Sequence, residues 1–253
     1  MSNDINHVHF SLIISIGLLA SIYLYLQNLG IRVFKTLILS CIAIFLLFYL
    51  HYNGVRGGIA GFYISLIILL SFYRKQLNKK KVMMIITMLL VFLTIMFSGA
   101  PHFKNKIVNT AISLTQFCTS EKISNISDFG RFESIRAGIE VEQINPLVGV
   151  GLGDLKDEMS KRSELPLLPH NQFVFIFAFS GILGLLVVAF NLTKHLFLKT
   201  RVPVFFLAFN SIFYFSFMIE HPLERQLGVG LFLYFNLLIL SISNDNNESK
   251  VFL

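Results

Sequence analysis

The run Phe173-Val174-Phe175-Ile176-Phe177-Ala178-Phe179-Ser180-Gly181-Ile182-Leu183-Gly184-Leu185-Leu186-Val187-Val188-Ala189-Phe190-Asn191-Leu192 contains no Asp, Glu, Lys or Arg. Twenty residues of α-helix rise about 30 Å, the thickness of the hydrocarbon core of a bilayer. A barrel strand would be about half as long and would alternate apolar with polar residues. This run is apolar on every side. Lipid offers no partner to backbone N–H and C=O groups, which leaves helix as the spanning structure. The charge-free interval around the run is 165–193, and six more have at least 17 residues: 5–31, 36–55, 57–73, 82–103, 202–219 and 226–244. Of the 253 residues, 55% are hydrophobic and 14% charged, against about 25% charged in a soluble domain. Those figures exclude an ordinary soluble domain and a disordered tail, and two Cys exclude a disulfide scaffold. The expected fold is all-α: a polytopic membrane protein with about seven transmembrane helices and one long extracytoplasmic, partly helical loop.

Charge sets the expected orientation. Arg32, Lys35, Arg74, Lys75, Lys79, Lys80, Lys81, Lys194, Lys199, Arg201 and Lys250 fall in alternate connections and the tail, while the opposite short loops hold Arg56 and Arg225. The positive-inside rule places the eleven on the cytoplasmic side. The net charge of +7 is therefore a membrane signature and implies no nucleic acid partner. The N-terminus is expected outside and the C-terminus inside, with no cleavable signal peptide because no basic segment precedes the first span. Four parts follow: a four-span bundle (1–103), the outer loop (104–170), a three-span bundle (171–243) and a cytoplasmic tail (244–253), with 243–253 expected to be disordered. Cys41 is expected to be a small core residue of the second span, and Cys118 to have no disulfide partner.

The outer loop, at 104–164, carries eight basic and nine acidic residues, a near-neutral mix that reads as folded. Segment 107–120 is too short to span and suits a position along the interface or packed on the bundle. Segment 129–144 reads as helix, with Phe132, Ile135, Ile139 and Glu140 at helical spacing and Asn145-Pro146 as its stop. The run Gly149-Val150-Gly151-Leu152-Gly153-Asp154 then reads as a tight turn, followed by a short helix at 156–162 capped by Asp154. Segment 165–169 is an extended approach to Pro169-His170-Asn171. The glycine run lacks the strand and βαβ setting of a nucleotide fingerprint. No His, Cys and Glu spacing makes a metal site, and no Gly-x-Ser-x-Gly elbow occurs. The spans hold no Asp or Glu, which argues against a proton- or sodium-coupled transporter.

Three residues stand out, each with two readings. Arg56, in Asn53-Gly54-Val55-Arg56-Gly57-Gly58, is a snorkelling anchor or an anion ligand at the mouth of the third span. Arg131 forms a surface ion pair with Glu133 or Asp128, or belongs to a site. His170 is a polar residue at the lipid boundary beside the cap Asn171, or a titrating group of a site.

In order along the chain, several segments together resemble the O-antigen ligase and O-antigen polymerase superfamily of bacterial lipid-linked glycan transferases. They are Arg56 with its glycines, Gly130-Arg131-Phe132-Glu133-Ser134-Ile135-Arg136-Ala137, Asn145-Pro146-Leu147-Val148-Gly149-Val150-Gly151-Leu152-Gly153-Asp154, Leu168-Pro169-His170-Asn171-Gln172-Phe173, Gly181-Ile182-Leu183-Gly184-Leu185 and Glu220-His221-Pro222-Leu223-Glu224-Arg225-Gln226-Leu227-Gly228. The likeness is most specific over 130–185 and covers the C-terminal half of the family's pattern. Ile135 stands where members usually have an aromatic residue, and Val55 where a Ser is common. The resemblance implies transfer of a glycan from undecaprenyl diphosphate to an acceptor hydroxyl on the outer face of the inner membrane. The acceptor would be a glycan, a lipid A core sugar or a protein. Arg56 and Arg131 would stabilise the departing diphosphate, as guanidinium groups bind phosphate oxygens bidentately, with Arg136 a weaker third. His170 would be the general base of a single inverting displacement. Asn171 would orient His170 or bind sugar, and Glu220 and Glu224 would hold an acceptor hydroxyl or pair with an arginine. No cofactor or metal is needed, since the arginines carry the electrostatic role. The alternatives are a non-catalytic membrane subunit and, further off, a transporter.

Overall fold

The computed structural model describes residues 7–27, 33–74, 79–99, 127–163, 168–197 and 203–248, together with 104, 105, 108, 109, 112 and 115, which are helical. Among the described residues the regular structure is helix throughout. The helices are α1 (His7–Gln27), α2 (Val33–Asn53), α3 (Arg56–Tyr73), α4 (Lys79–Gly99), α5 (Ser127–Glu142), α6 (Leu152–Ser160), α7 (Gln172–Phe197), α8 (Val204–Ile219) and α9 (Gln226–Glu248), with a 3₁₀ turn at Pro222–Glu224. Among the described residues, each of the seven charge-free intervals holds a helix. Four reach spanning length and hydropathy outright (His7–Gln27, Phe34–Asn53, Arg56–Tyr73 and Gln172–Lys194), and shorter apolar helices occupy Thr87–Gly99, Val204–Ile219 and Gln226–Leu238. The protein is an all-α polytopic membrane protein. Most of segment 107–120, and Cys118, lie outside the described residues.

Packing groups the chain into two compact units, one of Met1–Ile107, Val202–Phe215 and Leu227–Leu253, the other of Val108–Arg201 and Ser216–Gln226. In the first unit, small residues let helices approach closely, the usual device where lipid cannot drive apolar association. A Cβ on Gly58 would lie 2.6 Å from Ser11 Oγ, and the Ser15 hydroxyl donates to Gly58 O at 3.1 Å. Ile14, Leu18, Leu50, Phe62 and Leu66 fill the space between α1, α2 and α3. His51 is fully buried, with Nδ1 2.8 Å from Leu47 O and Nε2 3.0 Å from the Tyr63 hydroxyl. Cys41 is exposed, not a core residue, because it shares α2 with the outward-facing Phe34, Leu37, Ile38, Ile44 and Phe45. Helix α9 runs on to Glu248, past the expected start of disorder at 243, since no Pro or Gly interrupts it there.

The second unit is built on α5, α6 and α7 around Ala137, Val141, Leu155, Met159, Phe175, Ile176 and Ala178. The face of α5 that packs is small, consisting of Ser134, Ala137, Gly138 and Val141, while Ile139 of the apolar stripe points outward. A Cβ on Gly138 would meet Val174 Cγ1 at 2.7 Å and Pro169 Cγ at 2.8 Å. Helix α6 begins at Leu152 with Gly151 as its N-cap residue, so Asp154 lies in the first turn and not at the cap. There its charge complements the helix dipole.

The glycine-rich segment does more than turn. Helix α7 is broken at Gly181 (φ 65°, ψ −169°), a conformation open in practice to glycine alone. In an unbroken helix Ile182 N–H would donate to Ala178 O and Leu183 N–H to Phe179 O. Here the loop 145–151 supplies the replacements. Val150 N–H donates to Ala178 O (3.0 Å) and Gly151 N–H to Phe179 O (2.9 Å). In return Ile182 N–H donates to Pro146 O (2.9 Å) and Leu183 N–H to Leu147 O (3.4 Å). Gly149 (φ 70°) completes the joint. A Cβ there would lie 2.3 Å from Phe179 C, and one on Gly181 2.3 Å from Leu147 C. Backbone lies against backbone on both sides.

Candidate functional site

Three segments of the second unit converge on one carboxylate. Glu220 follows the last turn of α8, where its N–H donates to Ser216 O at 2.8 Å. Its Oε1 accepts from Arg131 Nη2 at 2.7 Å, and its Oε2 lies 2.8 Å from His170 Nδ1. Arg131 comes from the start of α5, and His170 from the junction that opens α7. Ser134 joins those two segments, its hydroxyl donating to Arg131 O at 2.8 Å and accepting from His170 N–H at 3.2 Å.

The junction is held rigidly. Asn171 Oδ1 accepts from Phe173 N–H (2.9 Å) and Val174 N–H (3.1 Å), capping α7, and its Nδ2 donates to Met218 O (3.0 Å). The buried Gln172 accepts from Leu223 N–H at 2.9 Å, tying the 3₁₀ turn to α7. His221 stacks on Phe175 (centroids 5.6 Å, 20° between planes), lies 5.4 Å from the His170 ring and pairs through Nε2 with Glu224 at 2.6 Å.

Burial works against the charge on Glu220, but the His170 hydrogen bond and the charges of Arg131, His170 and His221 outweigh it, and its pKa lies below the usual carboxylate value. An ionised carboxylate only accepts hydrogen bonds. Nδ1 of neutral His170 must therefore carry the proton, which leaves the lone pair on Nε2. That is the tautomer a general base needs. His221 is held below the ordinary histidine pKa, first by burial and also by His170 and Arg225, against the opposing pull of Glu224 and Glu220. Its Nδ1 is buried and has no hydrogen-bond partner among the described residues.

The residues expected from sequence divide clearly. Arg131, His170 and Glu220 come together, and Glu220 pairs with an arginine, one of its two expected roles. Where the sequence suggested Glu133 or Asp128 as an ion-pair partner for Arg131, the structure pairs it with the sequence-distant Glu220. Glu224 joins through His221. Arg136 pairs with Glu140 along the surface of α5, its side chain 70% exposed, an i,i+4 contact worth about 0.3–0.5 kcal/mol. Asn171 is engaged with the chain's own backbone. Arg56 opens α3 in the other unit. His221 was not singled out from sequence, although it lies within the quoted segment from Glu220 to Gly228. Its neighbours in two flanking acidic residues were the available signal. His170, Glu220 and His221 offer ligand atoms within 4.8 Å of one another, a spacing a metal ion can fill. The Arg131 charge on Glu220 opposes a cation there, and His170 already takes the other oxygen.

Apolar spanning helices and a half-buried, charge-assisted Arg–Glu–His cluster beside the start of a span define a membrane protein equipped for polar chemistry at its boundary. Residues 41–189, more than half of the chain, match the family model described as O-antigen ligase. The chain belongs to the O-antigen ligase family, which associates it with transfer of lipid-linked glycans in a bacterial membrane. No curated protein sequence matches it.

Proposed function

We propose that the chain transfers a glycan from undecaprenyl diphosphate to an acceptor hydroxyl at the outer face of the inner membrane, by one inverting displacement that needs no metal. The observation that carries this reading is the pairing of both oxygens of Glu220, one with Arg131 and one with His170. His170 Nε2 takes the proton of the acceptor hydroxyl as that oxygen attacks the anomeric carbon. The bond from that carbon to the diphosphate breaks, and the electron pair leaves with the lipid diphosphate. Glu220 stabilises the imidazolium formed, a role that typically accompanies base catalysis worth about 10²–10⁴ in rate. Arg131, about one-third exposed, presents guanidinium donors to the departing diphosphate. Arg56 is a second diphosphate ligand in this reading, on the strength of the sequence resemblance. Glu224 acts through His221, Asn171 positions His170, and Arg136 is peripheral. The chain lies with its N-terminus outside and C-terminus in the cytoplasm, as its basic loops direct. The acceptor is a glycan, a lipid A core sugar or a protein side chain.

The test is transfer from a lipid-linked glycan in membranes carrying His170→Ala, Arg131→Ala or Arg56→Ala, each checked for normal insertion, with a chelator arm on the parent chain. Loss of transfer in the variants and an unchanged rate in chelator are expected. Normal glycan display in all three variants rejects the proposal in favour of a non-catalytic subunit, and loss of rate in chelator rejects metal independence.

A further inference from the structure

We propose that the loop 145–151 and Leu152, which opens α6, lie within the hydrocarbon layer, in the leaflet that α7 enters by its N-terminal end, in contact with acyl chains. The stretch from Gln143 to Gly153 contains no charged residue. Its large side chains face outward: Leu147 is 64% exposed, Val148 56%, Leu152 62% and Ile144 48%. In water this would be a contiguous apolar patch on a loop, which soluble surfaces avoid. The loop is also fastened to a place that is itself deep. Gly181 is nine residues beyond Gln172, about 14 Å along the helix axis, and Leu147 lies against it backbone to backbone. Past that point α7 turns Leu183, Leu186, Val187 and Phe190 outward, so the loop's apolar crest continues the face that a span presents to lipid. Irregular backbone survives at such depth only where protein satisfies its polar groups. The exchange of hydrogen bonds between the loop and the broken helix does so, as does Gly149 N–H donating to Asn145 O at 2.8 Å.

This inference depends on α7 being a span and not on the transfer reaction. The chain has no Trp, so a single introduced indole reports its own surroundings. Leu147→Trp and Val148→Trp are reconstituted in phosphatidylcholine vesicles with and without brominated acyl chains, beside Phe190→Trp on the span and Lys156→Trp on the exposed side of α6. Positions 147 and 148 are expected to match position 190: blue-shifted emission, quenching by the brominated lipid and protection from aqueous iodide. Red-shifted emission with iodide quenching like position 156 would overturn the proposal. As a check on the unaltered chain, photolysis of a carbene precursor confined to acyl chains, followed by peptide mass spectrometry, is expected to mark 144–152 as well as 183–190. Adducts on 183–190 with none on 144–152 would also overturn it.

Discussion

Replacing Glu220 by Gln keeps the shape of the side chain and removes the charge on which His170 and Arg131 converge. In the parent site the carboxylate fixes the His170 proton on Nδ1. A Gln amide can turn its NH₂ toward Nδ1 instead, which moves the proton to Nε2 and removes the lone pair the reaction uses. The substitution also removes the anion that stabilises the imidazolium. Opposite charges about 4 Å apart gain roughly 4 kcal/mol at an effective dielectric near 20. The side chains are 13% and 22% exposed, so solvent screening reduces this to roughly 2–3 kcal/mol, a factor of about 30–150. Loss of the tautomer adds to it, since exchanging the carboxylate of a histidine–carboxylate pair for an amide has cost about 10⁴ elsewhere. The expectation is a fall in kcat of about 10²–10⁴ with little change in donor KM. Glu220→Asp, which keeps the charge, retains more rate. Initial rates are measured against pH in reconstituted membranes, with thermal unfolding as a control. Because the folded-state pKa of Glu220 lies below 4.5, its ionisation stabilises the fold above that value, and the benefit is lost as pH falls through the folded pKa. The Glu220→Gln variant lacks this slope. If that variant folds and keeps the parent's rate and pH profile, the assignment of roles is refuted.

Five other substitutions test the frame around the site. Gly149→Ala and Gly181→Ala each force a Cβ to 2.3 Å from backbone at positive φ, and each is expected to cost about 3 kcal/mol or more in thermal unfolding. Gly153→Ala meets nothing within 4 Å and is expected to be neutral or to gain up to about 1 kcal/mol. Burial pushes the Glu142 pKa from 4.5 up to about 7. Its contribution to stability is therefore full below 4.5 and is lost as pH rises through about 7, and Glu142→Gln should flatten unfolding curves across that window. Asn171→Ala removes the cap of α7 and is expected to cost about 1 kcal/mol, with a shifted pH profile of transfer if the cap also aims His170.

The spans were legible because bilayer thickness writes itself into the length of charge-free runs, and every such run holds a helix among its described residues. The packed face of α5 was not legible, because in this setting bulk and burial separate: Ser134, Ala137 and Gly138 face protein while Ile139 faces outward. Arg131 and His170 could be picked out by residue type and place. Their meeting at Glu220 could not, since 50 residues separate His170 from Glu220 and no local pattern records a contact of that kind. The interruption at Gly181 left no trace in hydropathy, which is blind to backbone torsion. Only the pair of glycine clusters hinted at it.

The hydrogen bonds that couple the loop to α7 are made by amides and carbonyls alone. These bonds set no requirement on side chains beyond the two glycines, while Val150 adds packing against the core that α7 shares. The bonds are, however, strict about residue count. One residue added to or removed from the segment between Pro146 and Gly151 would throw both pairs of partners out of step at once, and would separate the half of α7 that carries His170 from the half that continues through the bilayer.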